Sequence, residues 1–151
     1  MSVTVQTQDF DLGKEVALLH SKNARVGAIV SFVGLVRDVN DGLEVREMNL
    51  EHYPAMTEKS LKLIEEQCEK KWRLLGIRII HRYGKLKPTD QIVLVIVSSE
   101  HRGDAFKACE FLMDYLKTQA PFWKKEITNR GERWVDARSA DDDAAKRWTT
   151  S

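Results

Sequence analysis

The segment Gln91-Ile-Val-Leu-Val-Ile-Val-Ser98 constrains this chain more than any other. It carries no charge and is mostly β-branched, which suits a strand lying deep in a sheet and covered on both faces. Its apolar centre, Ile92–Val97, is far too short to cross a bilayer. The segments around it must supply both the rest of the sheet and its two covers. Val3–Thr7 alternates polar and apolar residues and reads as a strand. Gly27–Val36 is a second, long apolar strand, with Gly34 a point of bulging or close backbone approach. Asp41-Gly42 predicts a tight hairpin turn leading into a strand over Leu43–Glu51, because that pair tolerates the positive φ angles such a turn needs.

Two amphipathic stretches fit the covering helices. One opens at Pro54, with Thr57, Leu61, Ile64, Cys68 and Trp72 along one face. The other runs from about Asp104 to Lys117, with a stripe of Ala105, Phe106, Cys109, Leu112, Met113 and Leu116. A shorter helix through Val16, Leu18 and Leu19 is capped by Asp9 or Asp11. Ile77–Tyr83 is a strand, and Gly84–Asp90 has the composition of a loop. Phe122–Ile127 and Arg133–Val135 form a second hairpin, and the tail holds a short helix or docking segment. The order β-α-β-β-α-β-β-α-β-β favours an α+β fold with a mostly antiparallel sheet over a doubly wound parallel one. A length of 151 residues suits one domain over 1–151, with a short tail over 139–151.

Charge narrows the function. With 24 Lys+Arg against 23 Asp+Glu the net charge is +1, which weighs against bulk coating of nucleic acid. Cys68 and Cys109 form no CxxC, and His20, His52, His81 and His101 have no metal-ligand spacing. No GxSxG, HExxH or phosphate-loop motif occurs. The N-terminus lacks the basic start and apolar block of a signal peptide. Together these predict a cytoplasmic protein without resident metal or cofactor, off the membrane and off nucleic acid.

The cations nevertheless gather around one strand–helix–strand unit: His101, Arg102, Lys107, Lys117, Lys124 and Lys125. His101 and Arg102 stand where the buried strand gives way to the helix, and free N–H groups there favour an anion. Lys117 lies at the far end of the same helix. Strand alternation sends Lys124 and Lys125 to opposite faces, so only one of them can enter a common cleft. Structural roles suit the same residues: a cap for His101, a solvated surface position for Arg102, dipole complementation for Lys117, an exposed strand edge for the lysine pair. Cys68 and Cys109 fall on apolar stripes and should be packed, and Phe122-Trp123 suits a core.

Five blocks carry a family resemblance: Gly34-Leu-Val-Arg37; Leu50-Glu-His-Tyr-Pro-Ala-Met-Thr57; His81-Arg-Tyr-Gly84 with Leu86, Pro88 and Asp90; Ser99-Glu-His-Arg102 with Ala105-Phe106; and Leu116-Lys117 through Ala120-Pro-Phe-Trp-Lys-Lys-Glu126. In this order, over residues 3 to 148, the chain resembles the catalytic (large) subunit of molybdopterin synthase. The resemblance implies an α/β hammerhead-type fold with an added β-hairpin subdomain, and a homodimer within a heterotetramer. Each copy would bind a small ubiquitin-like carrier bearing a C-terminal glycine thiocarboxylate. The reaction implied is a sulfurtransferase step, in which sulfur passes from that carrier to cyclic pyranopterin monophosphate to make the molybdopterin dithiolene of molybdenum cofactor biosynthesis. It also implies catalytic roles for Lys117 and Lys124, and substrate contacts from Leu35, Val36, Arg37, His101, Arg102, Lys125, Glu126 and Arg138. The chain departs from several relatives at Lys125, where they carry Arg; charge is kept and a bidentate contact is lost.

Two other functions fit the same cations. A non-catalytic dimeric scaffold could dock a ubiquitin-like tail or an anionic metabolite. An RNA-binding α+β domain could use the cluster with Phe122 and Trp123, although the chain has no RRM-type aromatic motif.

Overall fold

The computed structural model describes residues 2–135 and 139–149, with side chains in the second stretch from Asp143 onward. The first sheet has the order β1-β5-β7-β2, where β1 is Ser2–Gln6, β2 Ala28–Leu35, β5 Gly76–Arg82 and β7 Gln91–Ser99. Only β1 and β5 run parallel; β5 with β7 and β7 with β2 are antiparallel. The uncharged run is the inner strand β7, and it is buried from Ile92 to Ser99. Its alternation divides two cores. Val93, Val95 and Val97 pack with Leu61, Ile64, Cys68, Ala108 and Leu112, which lie on α2 (Pro54–Lys71) and α3 (Arg102–Gln119). Leu94 and Ile96 face the other way, toward Phe10 and Ile80, with Val16 and Leu19 of α1 (Leu12–His20) packed behind. Each such side chain contributes about 1.5–3 kcal/mol by leaving water, which is why an unbroken apolar strand needs a helix on each side.

The second sheet follows β3-β4-β8-β9, with β6 also paired to β4. These strands are β3 Val39–Asn40, β4 Leu43–His52, β6 Gly84–Leu86, β8 Phe122–Thr128 and β9 Gly131–Val135. Asp41 and Gly42 have φ of 51° and 76°, so both central turn residues lie in the left-handed region, as the Asp-Gly pair predicts. Gly34 marks both a register shift and a close approach: a Cβ there would stand 2.8 Å from Val93 Cγ1. The composition of Gly84–Asp90 predicts a loop, yet Gly84–Leu86 pairs with Leu50–Met48 as β6. Three residues are too few to show a period, and the pairing partner lies more than thirty residues away.

The molecule is α+β and mostly antiparallel. Asp11 caps α1 by accepting from the Lys14 N–H. The tail forms α4 (Ser139–Lys146). It is tied down by Trp148, which donates Nε1–H to Asp114 at 2.6 Å and packs edge-on against Trp72 and Phe111. Cys68 and Cys109 are buried free thiols, as their stripe positions predict.

Candidate functional site

Register gathers the site at one end of the first sheet. His81 on β5 pairs with Val93 on β7, and Val93 pairs with Gly34 on β2. Arg37, three residues past Gly34, therefore leaves the sheet at the same end as His81. From there β7 runs away to Ser99, and α3 brings the chain back, so Lys117 in its last turn returns to the His81 end. The second sheet meets this end through β4 and β8, where His52 pairs with Phe122 and Leu50 with Lys124.

His81 is the hub. It is 5% exposed, and its ring stacks on Phe122 with centroids 3.7 Å apart and planes 16° from parallel. Its Nδ1–H donates to the Arg82 carbonyl at 2.8 Å, which leaves the Nε2 lone pair as acceptor. Burial pushes its pKa down to about 3. The Arg82 carbonyl opposes that shift, and the charges of Lys117, Lys124 and His52 add to it. Both lysines thus act on one buried, neutral imidazole, one from α3 and one from β8. His52, half-buried, lies 3.2 Å from Thr57 Oγ1 through Nδ1 and 4.4 Å from the Tyr83 ring. Burial lowers its pKa, with Glu58 opposing. With both imidazoles held neutral, the positive charge at this end of the sheet comes from the two lysines.

The other residues named from the sequence are placed as follows. Arg37 is exposed, Leu35 is 52% exposed, and Val36 is buried with its N–H given to the Asp90 carbonyl and its carbonyl taken by Thr89. Lys125 lies on the opposite face of β8 from Lys124. It pairs with Glu132 at 2.9 Å, lies over the Trp134 ring, and has its pKa raised by Glu132. Glu126 is 2% exposed and bound by Arg133 and Asn40. His101 and Arg102 are exposed at the start of α3, and His101 makes no side-chain cap. Fifteen helical rises separate Arg102 from Lys117, about 23 Å, so one copy of the chain keeps these two groups of cations apart. Arg138 lies outside the described residues.

Phe122 belongs to the aromatic cluster as expected of a packed residue, whereas Trp123 is exposed and meets Tyr53 edge-on at 4.8 Å. His81 and His52 carry no functional reading in the sequence. The available signal is that both end strands whose partners bear the other site residues. Among the described residues no group of three or more His, Cys, Asp or Glu is placed to hold a metal ion. A surface cavity of about 380 Å³ between α3 and α4 contains none of the site's residues.

A family model described as MoaE protein matches residues 5–119. The chain belongs to the MoaE family. It is 58% identical over 147 residues to the molybdopterin synthase catalytic subunit of Ralstonia nicotianae, covering 97% of this chain and 84% of that one. The solved MoaE protein of Burkholderia ambifaria superposes with a TM-score of 0.83 at 55% identity, covering 99% of both chains. A Helicobacter pylori structure, a complex of subunits 1 and 2 of molybdopterin-converting factor, shares the fold with a TM-score of 0.71 at 18% identity, covering 91% and 92%. Two of the blocks named above, Leu50–Thr57 and Ala120–Glu126, supply His52, Phe122 and Lys124, so segments that mark the MoaE resemblance also build the cationic end of the sheet. No helix among the described residues is long and apolar enough to cross a membrane.

Proposed function

We propose that this chain is the catalytic subunit of a molybdopterin synthase, a sulfurtransferase acting in the cytoplasm. It takes sulfur from the C-terminal thiocarboxylate of a small ubiquitin-like carrier and delivers it to cyclic pyranopterin monophosphate, forming the dithiolene. The observation that carries this reading is that β8 register and the return of α3 bring Lys124 and Lys117 to the His81 end of the sheet, where both charges act on its buried neutral ring. Both ligands are anionic, one through its phosphate and the other through its thiocarboxylate, and a shared cationic end of the sheet suits both.

In this mechanism Lys117 lies nearest the carrier's terminal glycine and moves protons in two steps: the thiocarboxylate sulfur attacks a pterin side-chain carbon and displaces oxygen there, and water then cleaves the acyl–sulfur bond, which leaves sulfur on the pterin and frees the carrier as a carboxylate. Lys124 binds and polarises the pterin substrate, and Arg37 contributes a planar donor fork to its phosphate. Leu35, Val36, Lys125 and Glu126 shape the adjoining wall. His101 and Arg102 come from a second copy of the chain within a homodimer, because about 23 Å of helix separates them from Lys117 in their own copy. With two carriers the assembly is a heterotetramer.

The test is Lys117→Ala assayed with preformed carrier thiocarboxylate. Dithiolene formation should fall at least about 100-fold while the carrier still binds; an unchanged rate ends the proposal. Mixing Lys117→Ala with Arg102→Ala chains should restore activity through mixed dimers that hold one intact site.

A further inference from the structure

The turn that launches α3 is braced by the residues leading into β2. Ser99 ends β7, Glu100 and His101 make the turn, and Arg102 opens the helix. Ala28 pairs with Ser99 in the β2–β7 register, and one residue earlier the Gly27 N–H donates to the Ser99 carbonyl at 3.0 Å. Ser99 in turn donates Oγ–H to the His101 carbonyl. Gly27 also lies against the backbone of Glu100: a Cβ there would stand 3.3 Å from the Glu100 carbonyl carbon and well inside the contact distance of its oxygen. Gly27 cannot retreat from that contact without giving up its own hydrogen bond to Ser99. Arg25 pairs with the Glu100 carboxylate, but both side chains are exposed, and an exposed pair of this kind holds little. The backbone contacts are therefore what fix the turn.

We propose that Gly27 and Ser99 are positioning residues for sulfur transfer in the partner copy: together they fix the direction in which His101 and Arg102 leave this copy toward the other's anionic substrate. This rests on the reading that those two cations serve the second copy of the homodimer. His101 makes no side-chain cap to α3, and both cations are exposed, so their aim depends on the backbone beneath them. Gly27 and Ser99 supply the hydrogen bonds that hold that backbone. A methyl group added at Gly27 must push the Glu100 carbonyl, one peptide before His101, by about 1 Å, and a shift of that size can cost about 100-fold in rate.

The experiment uses full chains, co-expressed with different tags and purified as mixed dimers, then supplied with carrier thiocarboxylate and assayed for dithiolene from the pterin substrate. Gly27→Ala homodimers should lose about 10- to 100-fold in rate. Mixed with Lys117→Ala, Gly27→Ala should regain about half of the parental activity, because one site then joins the intact Lys117 of one chain to the intact turn of the other. Mixed with Arg102→Ala it should stay low, because both chains then carry their damage at the start of α3. A defect confined to its own chain gives the reverse pattern, restored by Arg102→Ala and not by Lys117→Ala, and overturns the proposal. So do parental kinetics in Gly27→Ala homodimers. Ser99→Ala should show the same pattern with a loss of about fivefold, and it decides the matter if Gly27→Ala does not fold. The mixture of Lys117→Ala with Arg102→Ala separates the two readings. If that mixture stays inactive, the second copy does not supply these cations and the proposal falls with that reading. If it recovers while Gly27→Ala and Ser99→Ala depart from the expected pattern, only the role of Gly27 and Ser99 is refuted.

Discussion

Acid should unfold this protein through His81, and the size of the effect follows from its surroundings. The imidazole's ordinary pKa is 6.5, and burial beside two lysines holds it down to about 3. In the unfolded chain the ring takes up a proton as pH falls through 6.5; in the folded chain it stays neutral until near 3. The unfolded state therefore binds more protons across that window. Stability contributed by the neutral ring is complete above pH 6.5 and is lost progressively as pH falls from there toward 3. Between pH 7 and pH 5 the loss amounts to about 2 kcal/mol from this residue alone. The assay is urea unfolding at both pH values for the parent and for His81→Phe. The variant keeps a ring against Phe122 but gives up the hydrogen bond to the Arg82 carbonyl, which costs about 1 kcal/mol at pH 7. Every other titrating group, His52 included, is present in both proteins, so the difference between their pH slopes isolates His81. The parent should lose about 2 kcal/mol more than the variant on going to pH 5. Parallel slopes would refute the reasoning and show that His81 titrates normally in the folded protein.

Two further outcomes follow from packing. Gly34→Ala places a Cβ 2.8 Å from Val93 Cγ1 inside the core, and should cost about 1–3 kcal/mol in urea unfolding; a neutral result would mean that β2 and β7 separate freely. Burial pushes the Cys68 thiol up to about 12 and the Cys109 thiol to about 11, so a thiol-reactive disulfide at pH 8 should label both at least about 100-fold more slowly in native protein than in urea. Rapid native labelling of either would contradict its packed position.

The aromatic end of the site explains why its chemistry was hard to see in one dimension. Lys117 and Lys124 stand out as cations, and the resemblance of their blocks gives them roles. His81 and His52 do not stand out, because a histidine at a strand end is common and only its surroundings make it unusual. Glu126 reads as one wall residue among several until Arg133 and Asn40 are seen around it. His101 and Arg102 group with Lys117 on one strand–helix–strand unit in the sequence, and the helix that joins them holds them about 23 Å apart.

Patterns confined to a few neighbouring residues determined the elements. An uncharged β-branched run makes an inner strand, Asp41-Gly42 makes a tight hairpin, and apolar spacing of three and four makes the faces of α2 and α3. These outcomes depend on backbone angles and side-chain period, which are local. Cross-strand register and helix length decided the rest: that Gly84–Leu86 would pair as β6, that Lys117 and Lys124 would reach the His81 end of the sheet, and that Arg133 would take up the Glu126 carboxylate. Such contacts join residues far apart in the chain, and they form only once the two sheets and α3 have packed together.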